Sequence, residues 1–370
     1  MKIAFISTIL GHPWGGADSL WTRAAEAAVE NHHRVLLCIS SLTATHERIV
    51  ALKQRGALLN IRPSYPPRPS LAGRIFQRVL RHSSDPFVSV LDQFAPDLLI
   101  ISCGGTYDLV AYPELCAWLL ATHQRFRIIA NWQRENPTEG DDERSAIVSA
   151  FVAADMIAFV STRNLEATRR HLRQPLPNAV VLHNPLRLPR SDVTAWPSTP
   201  PWRLATVSRL APEKGIGLLF PALSAAIPAS EPWELHVYGR GPEEAHLRAA
   251  AKQHGLERNV FFEGQIEDLA DIWRDNHLLV SPALEEGVPM TIPEAMLCAR
   301  PVLATNVGGA EDWLMEGATG YLCPAPTIPL LESTLRAAWK DRARWPQWGA
   351  AALIAARHHY RPNDYLRLVN

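Results

Sequence analysis

The sequence predicts an α/β protein made of two doubly wound domains. Short apolar runs typical of buried strands alternate with longer stretches of helical apolar spacing. This alternation indicates parallel sheets whose crossover connections are helices. The chain has 370 residues, which fits two domains, and a proline-rich segment separates two series of predicted strands.

The first series begins with the apolar run KIAFIST. A turn-rich segment follows it, then SLWTRAAEAAVENHH with helical spacing, and then the strand-like run RVLLCIS. This order of elements is that of a parallel βαβ unit. Further strands are predicted at 97–102, 126–131, 156–161 and 179–184. Residues 1–185 are therefore predicted to form an N-terminal Rossmann-like domain.

A linker and a second domain are predicted to follow. Residues 186–203 are rich in proline and polar residues, as is typical of an interdomain linker. A second series of strands is predicted at 204–209, 234–239, 259–264, 277–282 and 301–306. We expect a C-terminal domain at 204–350 and a helical segment at 351–370 that packs back on the N-terminal domain. Two such domains would face a central cleft, with ligands at the carboxyl ends of the strands.

The composition disfavours several classes of protein. Lys and Arg number 37, as do Asp and Glu, whereas a nucleic-acid-binding protein normally carries a basic excess. Five cysteines without a C-x-x-C pair argue against a zinc ribbon or a disulfide framework. No run of 18 apolar residues occurs, and the first residues are typical of a strand rather than a signal peptide. We expect a cytoplasmic protein.

Two cations mark the first loop of the second predicted domain. In SRLAPEKGIG, Arg209 ends a predicted strand and Lys214 precedes a helix predicted to begin near Gly215. A cation at a helix N-terminus opposes the helix dipole, so the arrangement suits a bound anion such as a diphosphate. The alternative is a solvated pair of cations, partly offset by Glu213.

Two carboxylates lie eight residues apart in EEGVPMTIPEAM. Glu286 is predicted to lie in the loop after a strand, where it can accept hydrogen bonds from sugar hydroxyls. Glu294 is predicted to lie in the first turn of the next helix, with Pro293 near the helix start, and can bind a ribose diol. Two alternatives stay open. Glu286 or its neighbour Glu285 can be a solvated loop acid, and Glu294 can serve only as the capping-box partner of Thr291.

This assembled pattern resembles the nucleotide-sugar-dependent glycosyltransferases of family 4, which have the GT-B architecture. The resemblance rests on the E-x7-E motif, on the R…K pair before it, and on the ordered loops YGRGPEE, FFEGQIEDL, VGGAEDWL and GATGYL. It covers about 203–325 closely and 1–185 more loosely. It implies a retaining hexosyltransferase that moves a sugar from a nucleotide diphosphate donor to an acceptor hydroxyl in glycan or glycoconjugate biosynthesis. It implies no metal and no other cofactor.

The resemblance also assigns a role to each motif residue. Arg209 and Lys214 are expected to hold the donor diphosphate. Glu286 is expected to contact the donor sugar and orient its anomeric carbon, and Glu294 to bind the ribose. The donor site expected in full consists of Gly16, Arg209, Lys214, Gly241, Ile266, Glu286, Gly287, Val288, Pro289, Met290, Thr291 and Glu294. Ile266 would flank the base, and Gly16 would match the family's glycine loop, with an ordinary turn as the alternative.

One departure from the family concerns the acceptor side. The family places a histidine after a strand of its N-terminal domain, and the corresponding stretch FRIIANWQREN contains none. His12 and Glu135 are the two candidates for activating the acceptor. A lone histidine in a loop is more often a surface or packing residue.

A basic helical face is predicted within residues 61–82, where Arg74, Arg78 and Arg81 follow i, i+4, i+7 spacing. Such a face can lie on an anionic membrane or beside a lipid-diphosphate acceptor, and the alternative is the solvated face of a core helix. The expected partners are a nucleotide-sugar donor and a glycan, lipid-linked or small-molecule acceptor, without nucleic acid. A peripheral contact with the inner membrane face is an additional option.

Two other functions fit the sequence less well. A nicotinamide-dependent oxidoreductase would need G-x-G-x-x-G after the first strand and an acid ending the second, whereas this chain has LGHPWGGAD and Ser40. A non-catalytic nucleotide-sugar or glycan-binding relative is the remaining alternative, because the missing histidine could reflect lost catalysis.

Overall fold

The structure, a computed structural model, describes residues 1–9, 14–63, 86–132, 141–189, 191–192 and 195–370. The chain divides into two compact units. Met1–Pro185 and Arg361–Asn370 form the first unit, and Leu186–Tyr360 form the second. The segment predicted as a linker therefore lies inside the second unit, and the predicted C-terminal segment is divided at Tyr360.

The first unit is built on a seven-stranded parallel sheet with the order β3-β2-β1-β4-β5-β6-β7. Its strands are β1 (Lys2–Ser7), β2 (Arg34–Ser40), β3 (Leu58–Arg62), β4 (Leu98–Cys103), β5 (Phe126–Ala130), β6 (Met156–Phe159) and β7 (Ala179–Val181). Its described helices are α1 (Gly16–Glu30), α2 (Glu47–Gln54), α3 (Val88–Phe94), α4 (Pro113–Ala121), α5 (Asp141–Ala153) and α6 (Thr162–Leu172).

The second unit is built on a six-stranded parallel sheet with the order β10-β9-β8-β11-β12-β13. Its strands are β8 (Trp202–Val207), β9 (Trp233–Tyr238), β10 (Val260–Gly264), β11 (Leu278–Ser281), β12 (Val302–Thr305) and β13 (Gly320–Cys323). Its helices are α7 (Leu219–Ala226), α8 (Glu244–Gln253), α9 (Leu269–Trp273), α10 (Thr291–Leu297), α11 (Ile328–Lys340) and α12 (Trp345–His359). No helix in the described part of the chain is long and apolar enough to cross a membrane.

The central strands of both sheets are continuous apolar runs because helices cover the two faces of a parallel sheet. Every residue of β4 and of β5 is buried. The prediction of two doubly wound α/β sheets is thus confirmed. The strand order reverses between β1 and β4 in the first sheet, and between β8 and β11 in the second. Each reversal is a topological switch point, where the loops after neighbouring strands diverge and leave room for a ligand.

Two strands were not predicted from the sequence. β3 carries the exposed apolar residues Leu58 and Ile61 at the edge of the first sheet. β13 is a four-residue edge strand that begins at Gly320, within a segment interpreted as a loop. Both are short, and neither shows the continuous apolar run by which the central strands are recognised.

Two helix starts were also predicted wrongly. No α-helix begins near Gly215, because Lys214 ends one 3-10 turn, Pro212–Lys214, and another turn precedes α7. The helix-dipole argument for an anion beside Lys214 therefore fails. Pro293 is the third residue of α10 rather than lying at its start, although Glu294 is still within the first turn.

A buried carboxyl group contacts Gly15, the residue directly before α1 in the first unit. Asp18 accepts hydrogen bonds from the Gly15 backbone N–H (3.0 Å) and the Trp21 indole N–H (3.2 Å). Burial nevertheless raises the pKa of Asp18 from 3.8 to about 6, since the two hydrogen bonds only partly offset desolvation of the charge. The Gly15 N–H is thereby engaged within the chain in this structure.

We predict that Asp18 makes the protein less stable as the pH rises. Its pKa in the folded state lies above the unfolded value, so the folded state binds more protons between pH 3.8 and about 6. The stability contributed by this proton is complete below pH 3.8 and is lost as the pH rises through 6. The unfolding free energy of wild type minus that of Asp18→Asn should fall by up to about 3 kcal/mol between pH 4 and pH 7. Urea denaturation of both proteins at several pH values measures this difference, and a pH-independent difference would contradict the assignment.

Candidate functional site

The carboxyl edge of the six-stranded sheet gathers the predicted donor-site residues of the second unit. β8 and β11 are neighbours in the sheet, and their following loops carry Lys214 and Glu286 respectively. The backbone joins the two loops, since the Leu284 N–H donates to the Glu213 carbonyl oxygen at 2.8 Å. The loops of the topological switch point are therefore in direct contact.

Lys214 and Glu286 form an ion pair at this point. The Lys214 Nζ donates a hydrogen bond to Glu286 Oε1, and the side chains are only 19% and 16% exposed. An ion pair shielded in this way is screened by salt much less than one on the surface. An ammonium group has three N–H donors, so two remain for an incoming anion after Glu286 takes one.

Arg209 has a different partner. Its Nη2 donates to Glu213 Oε1, and these side chains are 51% and 36% exposed. Exposed pairs contribute little stability, so another anion can replace Glu213 at modest cost. The alternative drawn from the sequence, in which Glu213 partly offsets the positive charge, thus applies to Arg209 in this structure. Lys214 is instead paired with Glu286 from the neighbouring loop.

Glu294 is held by an arginine that the sequence analysis did not single out. Glu294 is 3% exposed, and Arg187 donates to it from the backbone N–H (3.2 Å to Oε1), Nε (3.1 Å to Oε1) and Nη2 (2.9 Å to Oε2). Burial alone would lower the pKa of Arg187, but the hydrogen bonding to Glu294 and the attraction of the Glu294 charge together outweigh burial and raise it. Arg187 lies in a proline-rich stretch with no motif to mark it.

The capping-box alternative for Glu294 is wrong. The residue that caps α10 is Met290, not Thr291, and it makes no side-chain capping bond. The Glu294 carboxylate is instead engaged by Arg187. A capping box requires the carboxylate to return to the N-cap amide, so the local T-x-x-E spacing was misleading here.

Close backbone packing shapes the loop around Glu286. Gly308, which follows β12, has φ +54°. A Cβ there would lie 2.3 Å from the Glu286 carbonyl oxygen and 2.7 Å from that of Gly287. The adjacent Gly309 N–H donates to the Gly287 carbonyl oxygen at 3.0 Å. Only glycine satisfies both the left-handed backbone and this approach.

Gly241 supports the Arg209 loop through its backbone. A Cβ on Gly241 would lie 2.2 Å from the Leu210 carbonyl oxygen. On either side of it, the Leu210 N–H donates to the Arg240 carbonyl oxygen (2.9 Å), and the Glu243 N–H donates to that of Leu210 (3.0 Å). Because Gly241 has no Cβ, the loops after β8 and β9 can pack against each other.

The remaining predicted residues fall into three groups. Ile266 and Val288 are partly buried against the core formed by α9, α10 and the second sheet. Pro289, Met290 and Thr291 form the entry to α10, where the Ile292 N–H donates to the Pro289 carbonyl oxygen at 3.0 Å. Gly16 is the first residue of α1 in the first unit.

The predicted acceptor-side residues lie outside the described part of the chain. This holds for His12 and Glu135, and for Arg74, Arg78 and Arg81 of the predicted basic face. Asn131, directly after β5, is described, and its amide donates to Ser102 Oγ (3.2 Å) and to the Cys103 carbonyl oxygen (2.8 Å). Among the described residues, no group of three or more His, Cys, Asp or Glu side chains could hold a metal ion.

Comparison with known proteins supports the resemblance seen in the sequence. Residues 201–341 match the family model described as Glycosyl transferases group 1. Poly(ribitol-phosphate) alpha-N-acetylglucosaminyltransferase of Staphylococcus aureus is 31% identical over 117 residues, which are 31% of this chain and 24% of that protein. The lipopolysaccharide core biosynthesis mannosyltransferase LpsB of Rhizobium meliloti is 30% identical over 168 residues, 44% of this chain and 48% of that protein. The first curated relatives are matched over about a quarter of their length.

Solved structures match the whole chain. Anabaena HepE in complex with UDP superimposes with a TM-score of 0.72 at 18% identity, covering 100% of this chain and 98% of that one. A mutant of S. aureus TarM, in complex with Fondaparinux, alpha-GlcNAc-glycerol and UDP, superimposes with a TM-score of 0.68 at 14% identity, covering 100% and 99%. The chain has the fold of the GT-B glycosyltransferases. The predicted resemblance is confirmed, and its sequence match to glycosyl transferases group 1 lies over 201–341.

We predict that Gly308→Ala destabilises the protein more than Gly317→Ala. Both glycines have positive φ, +54° and +70°, but a Cβ on Gly317 meets nothing within 4 Å. Gly317→Ala should therefore lower the unfolding free energy only by the cost of placing alanine in the left-handed region, about 1–2 kcal/mol. Gly308→Ala should lower the unfolding free energy by clearly more, because the loop that carries Glu286 must also shift. Thermal and urea denaturation of the two variants make the comparison, and equal losses would show that the loop adapts freely.

Proposed function

We propose that this protein is a glycosyltransferase that moves a hexosyl group from a uridine diphosphate sugar to an acceptor hydroxyl, with retention at the anomeric carbon, in glycan or glycoconjugate biosynthesis. The observation that carries this proposal is the Lys214–Glu286 pair at the topological switch point of the second sheet. It lies inside the region that matches glycosyl transferases group 1. The choice of uridine follows from the UDP that is bound in similar structures.

The donor diphosphate would bind to the cations at this sheet edge. Lys214 retains two N–H donors besides the one that binds Glu286. The exposed guanidinium of Arg209 can bind the diphosphate after giving up only its weak surface pair with Glu213. Two cations that meet a diphosphate disperse the negative charge that develops when it leaves. The protein thus supplies by side chains the charge neutralisation that the departing group needs.

In the transfer itself, the bond between the anomeric carbon and the diphosphate oxygen breaks, and its electron pair leaves with the diphosphate. The acceptor oxygen forms the new bond to carbon, and its proton passes to the departing diphosphate oxygen, which holds that electron pair. We assign Glu286 to the donor-sugar hydroxyls, and the contact of Lys214 with Oε1 supports this role because the Lys214 Nζ does not use Oε2. The Gly287–Thr291 segment would cradle sugar and phosphate groups through its backbone.

The nucleoside end would lie near α10. Glu294 is proposed to accept from the ribose, and Ile266, in the loop after β10, to flank the base. Both belong to the second unit, and Ile266 packs against the same core as α10. The family match over 201–341 supports this placement.

We assign acceptor binding to the first unit, on the basis of the sequence alone. His12 and Glu135 stay the predicted candidates for acceptor activation, and the basic face of Arg74, Arg78 and Arg81 stays a prediction of membrane-proximal or anionic acceptors. TarM in its complex with alpha-GlcNAc-glycerol shows that a protein of this fold can hold a glycosylated small molecule.

We expect Lys214→Ala to weaken the binding of both UDP and UDP-glucose by at least about tenfold, because a hydrogen bond to a charged group contributes about 1.5–3 kcal/mol. Isothermal titration calorimetry measures both affinities. Lys252→Ala, at an exposed position of α8, is the matched control and should bind as the wild type does. Unchanged UDP affinity in a folded Lys214→Ala variant would rule out the diphosphate assignment.

The two glutamates should separate by ligand. Glu294→Gln should weaken binding of UDP itself, because the ribose is common to UDP and UDP-sugars. Glu286→Gln should chiefly weaken binding and hydrolysis of the UDP-sugar and leave UDP affinity within about threefold, less than one hydrogen bond to a charged group. Titration and a UDP-release assay provide the two readouts. Equal effects of both variants on UDP would refute the roles, and a wild type that holds UDP-sugars without any turnover would favour a non-catalytic binding protein.

A further inference from the structure

Arg187 saturates most of the hydrogen-bonding capacity of Glu294. An ionised carboxylate offers about four lone-pair positions, two on each oxygen. The Arg187 backbone N–H and Nε occupy both positions on Oε1, at 3.2 and 3.1 Å. Its Nη2 occupies one on Oε2, at 2.9 Å. One acceptor position is left, and it is on Oε2.

The backbone next to Arg187 is anchored to the second unit's core. The preceding Leu186 N–H donates to the Tyr360 hydroxyl oxygen at 3.0 Å. Leu186 and Tyr360 both pack against the core that contains Ile292 and Ala295 of α10. The same helix carries Glu294, so the donor and the acceptor of the pair are fixed to one hydrophobic cluster.

The guanidinium itself contacts both carboxylate oxygens. Its Nε and Nη2 reach Oε1 and Oε2 respectively, which is the bidentate geometry that sets the plane of a carboxylate. The Glu294 side chain is 3% exposed, whereas that of Arg187 is 48% exposed. A ligand that used two acceptor positions on Glu294 would therefore have to displace one of the Arg187 hydrogen bonds.

We propose that Arg187 is a positioning residue that sets the specificity of Glu294, so that the carboxylate binds one hydroxyl of the donor ribose, on Oε2, and not the 2′,3′-diol. This inference rests on the proposed function, in which Glu294 contacts the ribose. The inference concerns the number of ribose hydroxyls that Glu294 binds. The presence of a glutamate at this position does not by itself determine that number.

The test compares UDP with 2′-deoxyUDP and 3′-deoxyUDP by isothermal titration calorimetry. For the wild type, we expect one analogue to bind about tenfold more weakly than UDP, the loss of one hydrogen bond to a charged group, and the other to bind like UDP. In Arg187→Ala, positions on both carboxylate oxygens open, and both analogues should bind about tenfold more weakly than UDP. Arg187→Lys keeps the charge without the fork and should behave likewise, which covers a failure of the alanine variant to fold.

Arg274→Ala is the control, because Arg274 forms an exposed pair with Asp271 beside α9. It should keep the wild-type pattern. The ratio between the two analogues is the decisive readout, since a merely structural role of Arg187 would change overall affinity without changing that ratio.

Two outcomes would overturn the inference alone: equal losses for both analogues in the wild type, or the wild-type ratio persisting in both Arg187 variants. A ratio that shifts in Arg274→Ala as well would also overturn it. Failure of the proposed function gives a different result. In that case the wild type does not bind UDP, or Glu294→Gln binds UDP as well as the wild type does, and the inference falls with it.

Discussion

The contact between the loops that follow β8 and β11 is the constraint on which the candidate site depends. These strands are parallel neighbours, so their carboxyl ends lie at one edge of the sheet, and the chain then leaves in opposite directions. The backbone bond from Leu284 to Glu213 and the ion pair of Lys214 with Glu286 both form across this divergence. If the strands were separated in the sheet, neither contact could form.

Internal ion pairs neutralise the charges of the candidate site, and they differ in how readily a ligand can replace them. Arg209 and Glu213 are largely exposed, so water already competes for both. Lys214 and Glu286 are shielded from water, but the ammonium group still has two N–H donors that can bind a ligand. The pair of Arg187 with buried Glu294 is the most constrained, because removing one partner would leave a buried charge uncompensated.

Glycine allows this edge to be packed as closely as it is. Gly308 brings the loop after β12 against the carbonyl oxygens of Glu286 and Gly287. Gly241 brings the loop after β9 against Leu210, next to Arg209. The charged side chains are thus carried by loops that contact one another through the backbone, which restricts the positions that these side chains can take.

The sequence by itself determined the class of fold and predicted the region of the candidate site. Apolar runs alternating with helical spacing are local patterns, and they predict buried parallel strands whose following loops carry the chemistry. The E-x7-E motif and the R…K pair were found in the same way, since each lies within a few residues of a strand end. The edge strands β3 and β13 were missed because both are short: β3 is partly exposed, and β13 is buried but only four residues long.

Only the tertiary structure decided which charges meet. Lys214 and Glu286 are 72 residues apart, and Arg187 and Glu294 are 107 apart. These pairings follow from the strand order and from the anchoring of Leu186 by Tyr360, neither of which a local pattern encodes. The local spacing T-x-x-E suggested a wrong partner for Glu294, because it is compatible with a capping box. The buried carboxylate instead accepts hydrogen bonds from Arg187, which is distant in sequence. The physical reason is that periodicity reports burial along one element, whereas an ion pair depends on the distance between two elements.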